Sequence, residues 1–331
     1  MREFLAVDAG GTSTRAVVVD ETGRCLGFGR SGGGNPTSRG VPGASVAVQA
    51  AIAKALTAAP SPASIELVLL AHAGAGVGFH AEVQRGIAPL GVRAPVVAAG
   101  DLLALFASGS PALDGAALIA GTGAIGGAIR DGRLDRVVDG TGWLLGDAGS
   151  GFWIGHHIAR AVVDDLDGGP VTRLTGALLA GLALDDDRTL VNGRPVVLGR
   201  LVHALYDLQP VELARFAPLA FALVNEDAVA TSILRDSVSA LAALLRRVRS
   251  FQADGPLVFG GSVLVEGVLR LSPELQAPLL DAADGAAPIA VADGLVGAAV
   301  LALRGGHIEV DEPLFTRMQS SIRTAATTPR P

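Results

Sequence analysis

Two segments of the chain repeat one pattern: an apolar run, a glycine-rich turn, a second apolar run, and a charged turn that closes on Gly-Arg. The first is FLAVDAGGTSTRAVVVDETGR at residues 4–24, and the second is AALIAGTGAIGGAIRDGR at residues 116–133. Apolar runs that flank a glycine turn predict two antiparallel strands joined by a tight connection. Because the unit recurs after about a domain's length, the sequence predicts two similar halves that face each other across a cleft.

The rest of the chain alternates between short apolar strands and helices, which is the pattern of an α/β protein. Residues 25–30 extend the first hairpin to a three-stranded meander, and residues 31–43 are predicted to form a loop. We place the first domain at residues 1–113 and the second at residues 114–305. Residues 306–331 are predicted to be a C-terminal tail, with a disordered end from Thr324 onward.

Composition narrows the class of protein. The 331 residues are 50% hydrophobic and 18% charged, which suits a globular chain of two domains. A net charge of -6 with Lys54 as the only lysine offers no basic surface for nucleic acid. The single cysteine, Cys25, excludes an internal disulfide and predicts a reducing cytoplasmic location. The N-terminus lacks signal-peptide features and the apolar runs are interrupted early, so we expect no membrane association.

The first glycine turn carries groups suited to phosphate chemistry. Backbone N–H groups at Gly10 and Gly11 can cradle a phosphate, and the hydroxyl of Thr12 or Ser13 can donate to it. Asp8 can reach a magnesium ion whose other ligands are water and phosphate oxygens. A glycine-rich hairpin in any β protein would have the same local sequence, so this turn alone does not decide between the two.

Further motifs follow the first turn in a fixed order: GNPTS, AAGDLLALF, AGTGAIGG, GWLLGDAGSGFWIG and VFGGSV. With VDAGGTSTR, this series resembles the sugar kinases of the actin, Hsp70 and hexokinase superfamily, and within it the N-acetylglucosamine kinase and BadF/BcrA-type branch. The resemblance covers nearly the whole chain. It implies an α/β fold of two actin-like (ribonuclease H-like) domains facing an ATP cleft, with ATP and Mg²⁺ as cofactors and a small sugar as substrate.

The resemblance also implies roles for the turns. The first phosphate loop corresponds to Gly10, Gly11 and Thr12, and the second to Gly121, Thr122 and Gly123. The adenosine loop corresponds to Gly260, Gly261 and Ser262. Asp8 corresponds to the acid that holds magnesium, and Gly123 is also placed against the substrate. A turn-capping role for Asp8, and an ordinary helix start at Gly260, are the alternatives.

Asp101 corresponds to the catalytic base and also contacts the sugar. A sugar hydroxyl is a weak nucleophile, which must be oriented toward the γ-phosphate and relieved of its proton. The alternative is a helix N-cap worth about 1 kcal/mol, and the two roles are compatible.

Asn35, Trp143 and Asp147 are expected to bind the sugar. The alternatives are an Asx turn at Asn35, a helix cap at Asp147 and a core position for Trp143. Trp153 is predicted to be a core residue. The adjacent His156 and His157 point in different directions on a helix, so we predict no metal site there.

Two departures from the family pattern affect the substrate. N-acetylglucosamine kinases commonly have GWGxxxGDEGS, whereas this chain has GTGWLLGDAGS. Thr141 takes the place of their Trp, Trp143 comes two positions later, and Ala148 replaces the Glu. The pattern resembles actinobacterial glucosamine kinases. We therefore expect phosphorylation of D-glucosamine at its 6-hydroxyl, with N-acetylglucosamine as the alternative acceptor.

Other classes of the superfamily are disfavoured. The BadF-type ATPase activators need two cysteines per chain for a shared iron–sulfur cluster, and only Cys25 is present. In the related repressors a DNA-binding domain precedes the core, whereas here the first strand begins at residue 4, so we expect none. A non-catalytic ATP-binding protein stays open, and the sequence is compatible with a homodimer without fixing the oligomeric state.

Overall fold

The computed structural model describes residues 1–58, 61–74, 78–252 and 254–327. Two five-stranded mixed sheets form the centres of two lobes. The first sheet consists of β1 (Glu3–Ala9), β2 (Ser13–Asp20), β3 (Cys25–Gly32), β4 (Ile65–His72) and β5 (Val96–Gly100). The second consists of β6 (Gly115–Ala120), β7 (Ala124–Arg130), β8 (Arg133–Asp139), β11 (Leu257–Gly260) and β12 (Ile289–Val291). A small hairpin, β9 (Leu190–Val191) and β10 (Arg194–Pro195), lies outside both.

The two sheets have the same topology. Their strand orders are β3-β2-β1-β4-β5 and β8-β7-β6-β11-β12, so each is an antiparallel meander extended by two parallel strands. The repeat predicted from the sequence is confirmed as a structural repeat. The carboxyl ends of the parallel strands therefore meet at one edge of each sheet, where α/β proteins bind their ligands.

Eleven helices are present in the described residues. They are α1 (Pro36–Leu56), α2 (Phe79–Ile87), α3 (Asp101–Gly109), α4 (Gly151–Leu166), α5 (Arg173–Gly181), α6 (Val196–Tyr206), α7 (Ala217–Leu223), α8 (Ala228–Arg249), α9 (Pro273–Ala282), α10 (Leu295–Gly305) and α11 (Glu312–Thr327). The loop predicted at residues 31–43 is wrong in part, because α1 begins at Pro36. Asn35 caps this helix, and a break at Gly40 (φ 68°) divides its first turn from the rest.

Both faces of the first sheet are covered, which explains why its strands read as continuous apolar runs rather than alternating ones. On one face Leu5 and Val7 pack with α1 and α2. On the other face Phe4 and Ala6 pack with α10 and α11. The second sheet packs against the large helical cluster of α4–α9 on one side.

The helices α3 and α10 link the two lobes. Leu102, Leu105 and Phe106 of α3 pack on the second sheet, whereas α10 packs on the first sheet. The two helices cross in backbone contact: the Gly297 N–H donates to Ser108 Oγ at 2.7 Å. A Cβ on Gly297 would lie 1.8 Å from the Ala104 carbonyl oxygen, so only glycine fits this crossing. Thus α3 lies in the predicted domain 1–113 but packs on the second sheet. Similarly, α10 lies in the predicted domain 114–305 but packs on the first sheet.

The predicted disorder from Thr324 is wrong for residues 324–327, which form the last turn of α11. Leu314, Phe315 and Met318 of this helix are buried against the first sheet, and burial of this apolar face stabilises the helix. Residues 328–331, to which the prediction also applied, lie outside the described residues.

By length and composition, α8 is apolar enough to cross a membrane. Its apolar side chains, such as Leu234, Leu241 and Leu245, are however fully buried in the core of the second lobe. We therefore interpret α8 as a core helix.

Candidate active site

The first glycine loop joins β1 to β2 at the cleft-facing edge of the first sheet. The Gly10 N–H donates to the Ser13 carbonyl at 3.1 Å, which closes the turn. The Gly10 carbonyl in turn accepts from Gly34 N at 3.0 Å, so the segment before α1 is fastened to the loop. Gly11 and Thr12 are exposed at its tip.

Asp8 lies just before this loop, at the end of β1, and is buried. Its Oδ2 accepts from the Gly294 N–H at 3.2 Å, and Arg15 Nη1 lies 3.7 Å away. Burial, to which the repulsion of the nearby Asp293 carboxylate adds, raises the pKa of the Asp8 carboxyl to about 7. Arg15 and the Gly294 N–H act in the opposite direction without cancelling this effect.

The second glycine loop, at residues 121–123, joins β6 to β7 and faces the start of α4. The Gly121 and Thr122 carbonyls accept from the N–H groups of Gly151 and Phe152 at 2.7 and 3.0 Å. Ser150 caps α4 by accepting from Trp153 N at 3.2 Å. The start of α4 therefore holds the loop in place.

The predicted adenosine loop follows β11. Gly261 has φ +85°, and a Cβ there would lie 2.3 Å from the Ala120 carbonyl oxygen, which restricts this position to glycine. The same close approach brings the Gly261 loop next to the second glycine loop. Ser262 is exposed, and a single π-helical turn, Val263–Gly267, follows in place of the regular helix that the sequence predicted.

One cavity of about 520 Å³ connects the three loops. Thr12, Gly121, Thr122 and Ser262 line it together with residues that the sequence did not indicate: Val211, Glu212, Ala214, Arg215, Ala217, Pro218, Phe221 and Glu266. These lie on the segment from residue 211 through α7 and on the π-helical turn. No local motif distinguishes them, because only the tertiary fold brings them to the glycine loops.

Asp101 is the first residue of α3 and follows β5 directly. Its Oδ1 accepts from the Leu102 N–H at 2.9 Å, but the N-cap of α3 is Gly100, so the structure does not show the alternative N-cap role of Asp101. Burial raises the pKa of the Asp101 carboxyl, and the charge of nearby His72 acts in the opposite direction. His72 ends β4 and pairs in register with Gly100. Asp101 thus lies at the same edge of the first sheet as Asp8.

The three residues predicted to contact the sugar have different surroundings. Asn35 accepts from Thr37 N at 2.8 Å, the hydrogen bond of its alternative Asx-type role. Asp147 is buried, accepts from Ala124 N at 2.9 Å and so braces the second glycine loop. It is not the cap of α4, which is Ser150. The Trp143 side chain is 42% exposed, which rules out the core position. Its ring centroid lies 6.0 Å from that of Phe152.

The described residues contain no group of three or more His, Cys, Asp or Glu side chains arranged to hold a metal ion. Cys25 begins β3, at the end of the sheet opposite the glycine loop, and its N–H donates to Ser321 Oγ at 2.8 Å. His156 stacks on Phe152 and His157 on Trp153, with ring centroids 5.7 and 3.6 Å apart.

Sequence comparison identifies the family. The BadF/BadG/BcrA/BcrD ATPase family matches residues 5–302, so the chain belongs to this family. The N-acetyl-D-glucosamine kinase of Dictyostelium discoideum is 34% identical over 217 residues, which are 61% of this chain and 64% of that protein. The chain therefore matches less than two thirds of the length of this relative.

Solved structures establish the fold. A candidate N-acetylglucosamine kinase from Chromobacterium violaceum is 24% identical, with a TM-score of 0.68, over 92% of this chain and 99% of that one. A ROK family glucokinase from Streptomyces griseus, solved with glucose and AMPPNP, is 21% identical, with a TM-score of 0.54, over 92% and 100%. The predicted two-lobed actin-like α/β fold is confirmed.

Proposed function

We propose that this member of the BadF/BadG/BcrA/BcrD family is an ATP-dependent kinase that phosphorylates the 6-hydroxyl of N-acetylglucosamine. One observation carries the proposal: a partly buried carboxylate, Asp101, lies at the sheet edge that also bears Asp8 and the first glycine loop. This arrangement supplies a base for the sugar hydroxyl beside a site for the phosphates.

ATP fits the cavity that joins the three loops. The backbone N–H groups of Gly11, Thr12 and Thr122 would bind the phosphates from the two lobes. Those of Gly10 and Gly121 already donate to Ser13 and Gly123 and shape the two turns. Gly260, Gly261 and Ser262 would approach the adenosine, because side chains absent from the glycines leave the backbone accessible. Each loop is braced by hydrogen bonds elsewhere, so little ordering would be needed on binding.

The surroundings of Asp8 fit a magnesium ion. Oδ2 accepts one N–H, that of Gly294, and the pKa near 7 means that an ionised Asp8 is costly without a cation nearby. Magnesium usually takes one or two carboxylates and fills its remaining positions with water and phosphate oxygens, which a lone Asp8 suits. When bound, Mg²⁺ neutralises charge on the phosphate oxygens.

Asp101 would act as the general base. Its carboxylate accepts the proton of the sugar hydroxyl while that oxygen forms a bond to the γ-phosphorus. The bond from the γ-phosphorus to the β–γ bridging oxygen breaks, and ADP leaves with those electrons. The hydrogen bond from Leu102 N to Oδ1 fixes the carboxylate and leaves Oδ2 for the hydroxyl.

The acceptor is proposed from the similarity to the Dictyostelium enzyme. The argument for glucosamine needs Asp147 to face the sugar amine and Trp143 to fill the acetyl space. Oδ1 of Asp147 instead accepts a hydrogen bond from Ala124 N, and the Trp143 side chain is 42% exposed. Both features weaken that argument.

Glucosamine remains the second candidate because the rebuilt loop supports it. Oδ2 of Asp147 has no protein partner among the hydrogen bonds of this loop, and a carboxylate beside a cationic amine would discriminate by about 1–3 kcal/mol. Asp147→Asn keeps the acceptor for Ala124 N and removes the charge. If Asp147 recognises the amine, this variant should lose efficiency on glucosamine selectively.

A coupled assay of ADP release with N-acetylglucosamine, glucosamine and glucose tests the proposal. We expect the highest kcat/KM on N-acetylglucosamine. A higher value on glucosamine would transfer the assignment to the second candidate, and release independent of any sugar would refute the kinase. Asp101→Asn should bind ATP normally, since Asn can still accept from Leu102 N, but turn over about 10²-fold more slowly. Near-full turnover by this variant would exclude Asp101 as the base.

A further inference from the structure

Arg15 connects two carboxylates at the edge of the candidate active site. It pairs with Asp8 in register across the first hairpin. Its Nη1 lies 3.7 Å from Asp8 Oδ2, and its Nε lies 3.5 Å from Asp293 Oδ2. One guanidinium group therefore bridges the acid of the first glycine loop to an acid almost three hundred residues later in the chain.

The segment that carries Asp293 interacts with Asp8 in two ways, once directly and once through Arg15. Asp293 lies between β12 of the second sheet and α10, and it is followed by Gly294, the N-cap of α10. Gly294 donates its N–H directly to Asp8 Oδ2, and Asp293 acts on the same oxygen through Arg15. Both contacts go to Oδ2, and in the described residues Oδ1 takes part in no hydrogen bond or ion pair.

Charge, rather than close packing, holds the guanidinium group. The Arg15 side chain is 26% exposed. Arg15 and Asp293 both line a cavity of about 290 Å³ between the first sheet, α10 and α11, with Phe28 and Ile322 among its apolar walls. Because the cavity leaves space beside the guanidinium group, the two carboxylates are what fix its position.

We propose that Arg15, itself held by Asp293, is a positioning residue that fixes the rotation of the Asp8 carboxylate so that Oδ1 faces the cation. The role of Asp8 toward the cation is taken from the proposed function. Without Arg15, Asp8 and Asp293 would be neighbouring negative charges with no bridge between them, and the Gly294 N–H alone would hold the Asp8 carboxylate against their repulsion.

A positioning role of Arg15 and a simple charge effect predict opposite changes in cation affinity when Arg15 is removed. Removal of a positive charge near a cation site should tighten cation binding by Coulomb attraction alone. If Arg15 positions Asp8, its removal should instead weaken cation binding. The affinity of an Arg15 variant for a divalent cation therefore decides between the two effects.

The experiment measures Mn²⁺ binding to the full chain with ADP by electron paramagnetic resonance, and the Mg²⁺ dependence of turnover. We expect Arg15→Ala to weaken Mn²⁺ binding about 10-fold or more, the usual cost of losing one charged interaction. Ethylguanidinium replaces the atoms that this substitution removes, and the adjacent cavity gives it access. It should restore Mn²⁺ binding, whereas neutral ethylurea at the same concentration should not.

Arg30 provides the matched control. It lies opposite Arg15 in the register of β2 and β3, and no ion pair joins it to Asp8 or Asp293 in the described residues. Arg30→Ala should bind Mn²⁺ as the wild type does. If Arg15→Ala fails to fold, Arg15→Gln carries the test, because it removes the guanidinium group and its charge but keeps part of the side chain's volume, and it should also weaken Mn²⁺ binding.

Two results would overturn the proposal: Mn²⁺ binding by folded Arg15→Ala that equals or exceeds that of the wild type, or a loss that ethylguanidinium does not restore. The failure of the proposed function has a different signature. A wild type that binds Mn²⁺ with ADP but phosphorylates no hexosamine would refute the kinase and leave the Arg15 result standing. A wild type that binds no Mn²⁺ would overturn both.

Discussion

Replacement of Asp8 by Asn should make the protein more stable while it abolishes the proposed magnesium site. The ionised carboxylate is buried, and the neighbouring Asp293 carboxylate adds repulsion to the cost of lost hydration. Asn has nearly the same shape and keeps an oxygen that can accept from Gly294 N. The substitution therefore removes the charge with little change in packing.

The magnitude follows from the shifted pKa. A folded-state value of about 7, against the ordinary 3.8, corresponds to about 4 kcal/mol at roughly 1.36 kcal/mol per pH unit. The folded state binds the proton more tightly than the unfolded state, so Asp8 costs nothing below pH 3.8. The cost grows between pH 3.8 and 7 and is complete above pH 7. The stability advantage of Asp8→Asn should thus be about 3 kcal/mol larger at pH 8 than at pH 5.

Urea unfolding in EDTA at pH 5, 6, 7 and 8 measures this advantage without metal. Far-UV circular dichroism is the suitable probe, because Trp143 and Trp153, the only tryptophans, both lie in the second lobe and Asp8 lies in the first. Asp281→Asn, at an exposed position on α9, serves as the control and should change stability equally at every pH.

The reasoning would be refuted by an Asp8→Asn variant that is less stable than the wild type at pH 8, or by an advantage that does not grow with pH. Either result would mean that the ionised carboxylate is well stabilised in the folded protein. Asp8 would then need no cation to offset its burial.

Two further predictions concern the link between the lobes. Gly297→Ala should destabilise the protein by about 1–3 kcal/mol in urea unfolding, because its Cβ would overlap the Ala104 carbonyl. Gly176→Ala lies in open space on α5 and should instead stabilise the protein by up to about 1 kcal/mol. Equal effects of the two substitutions would contradict the close helix crossing. A non-hydrolysable ATP analogue and the sugar together should reduce the radius of gyration in small-angle scattering, since the two glycine loops lie on different lobes and must both reach the phosphates. An unchanged radius would argue against lobe closure.

The parts of the fold and site that the sequence predicted are those encoded locally. The glycine turns after β1 and β6 and the start of α4 near Ser150 each lie within a short segment whose residue types determine the backbone. Asp8 and Asp101 could be found because Asp8 lies near the end of an apolar strand and Asp101 directly follows one. Their roles in the reaction stay predictions.

The parts that the sequence did not predict depend on distant contacts. Asp293 lies in a short stretch, VADGL, whose apolar residues and Asp-Gly pair are those of an ordinary strand end and turn. Its significance comes from Arg15 and Asp8, which are more than 275 residues away. The sequence predicts a tail where α11 lies, because the exposed residues of this helix are polar. Its apolar face is buried only through packing on the first sheet. Arg215 and Glu266 reach the cavity through tertiary packing alone.

The two helices that cross between the lobes both begin at the candidate active site. Asp101 is the first residue of α3, and Gly294, which holds Asp8, is the N-cap of α10. Backbone contact at Gly297 prevents one helix from sliding past the other without breaking the hydrogen bond to Ser108. A movement of the lobes that tilts α10 against α3 would therefore also disturb the N-terminus of α10, where Gly294 donates to Asp8. Because phosphoryl transfer needs the attacking and leaving oxygens in line at the γ-phosphorus, with the cation and the base in place beside them, this crossing would couple the position of the lobes to the geometry of the proposed reaction.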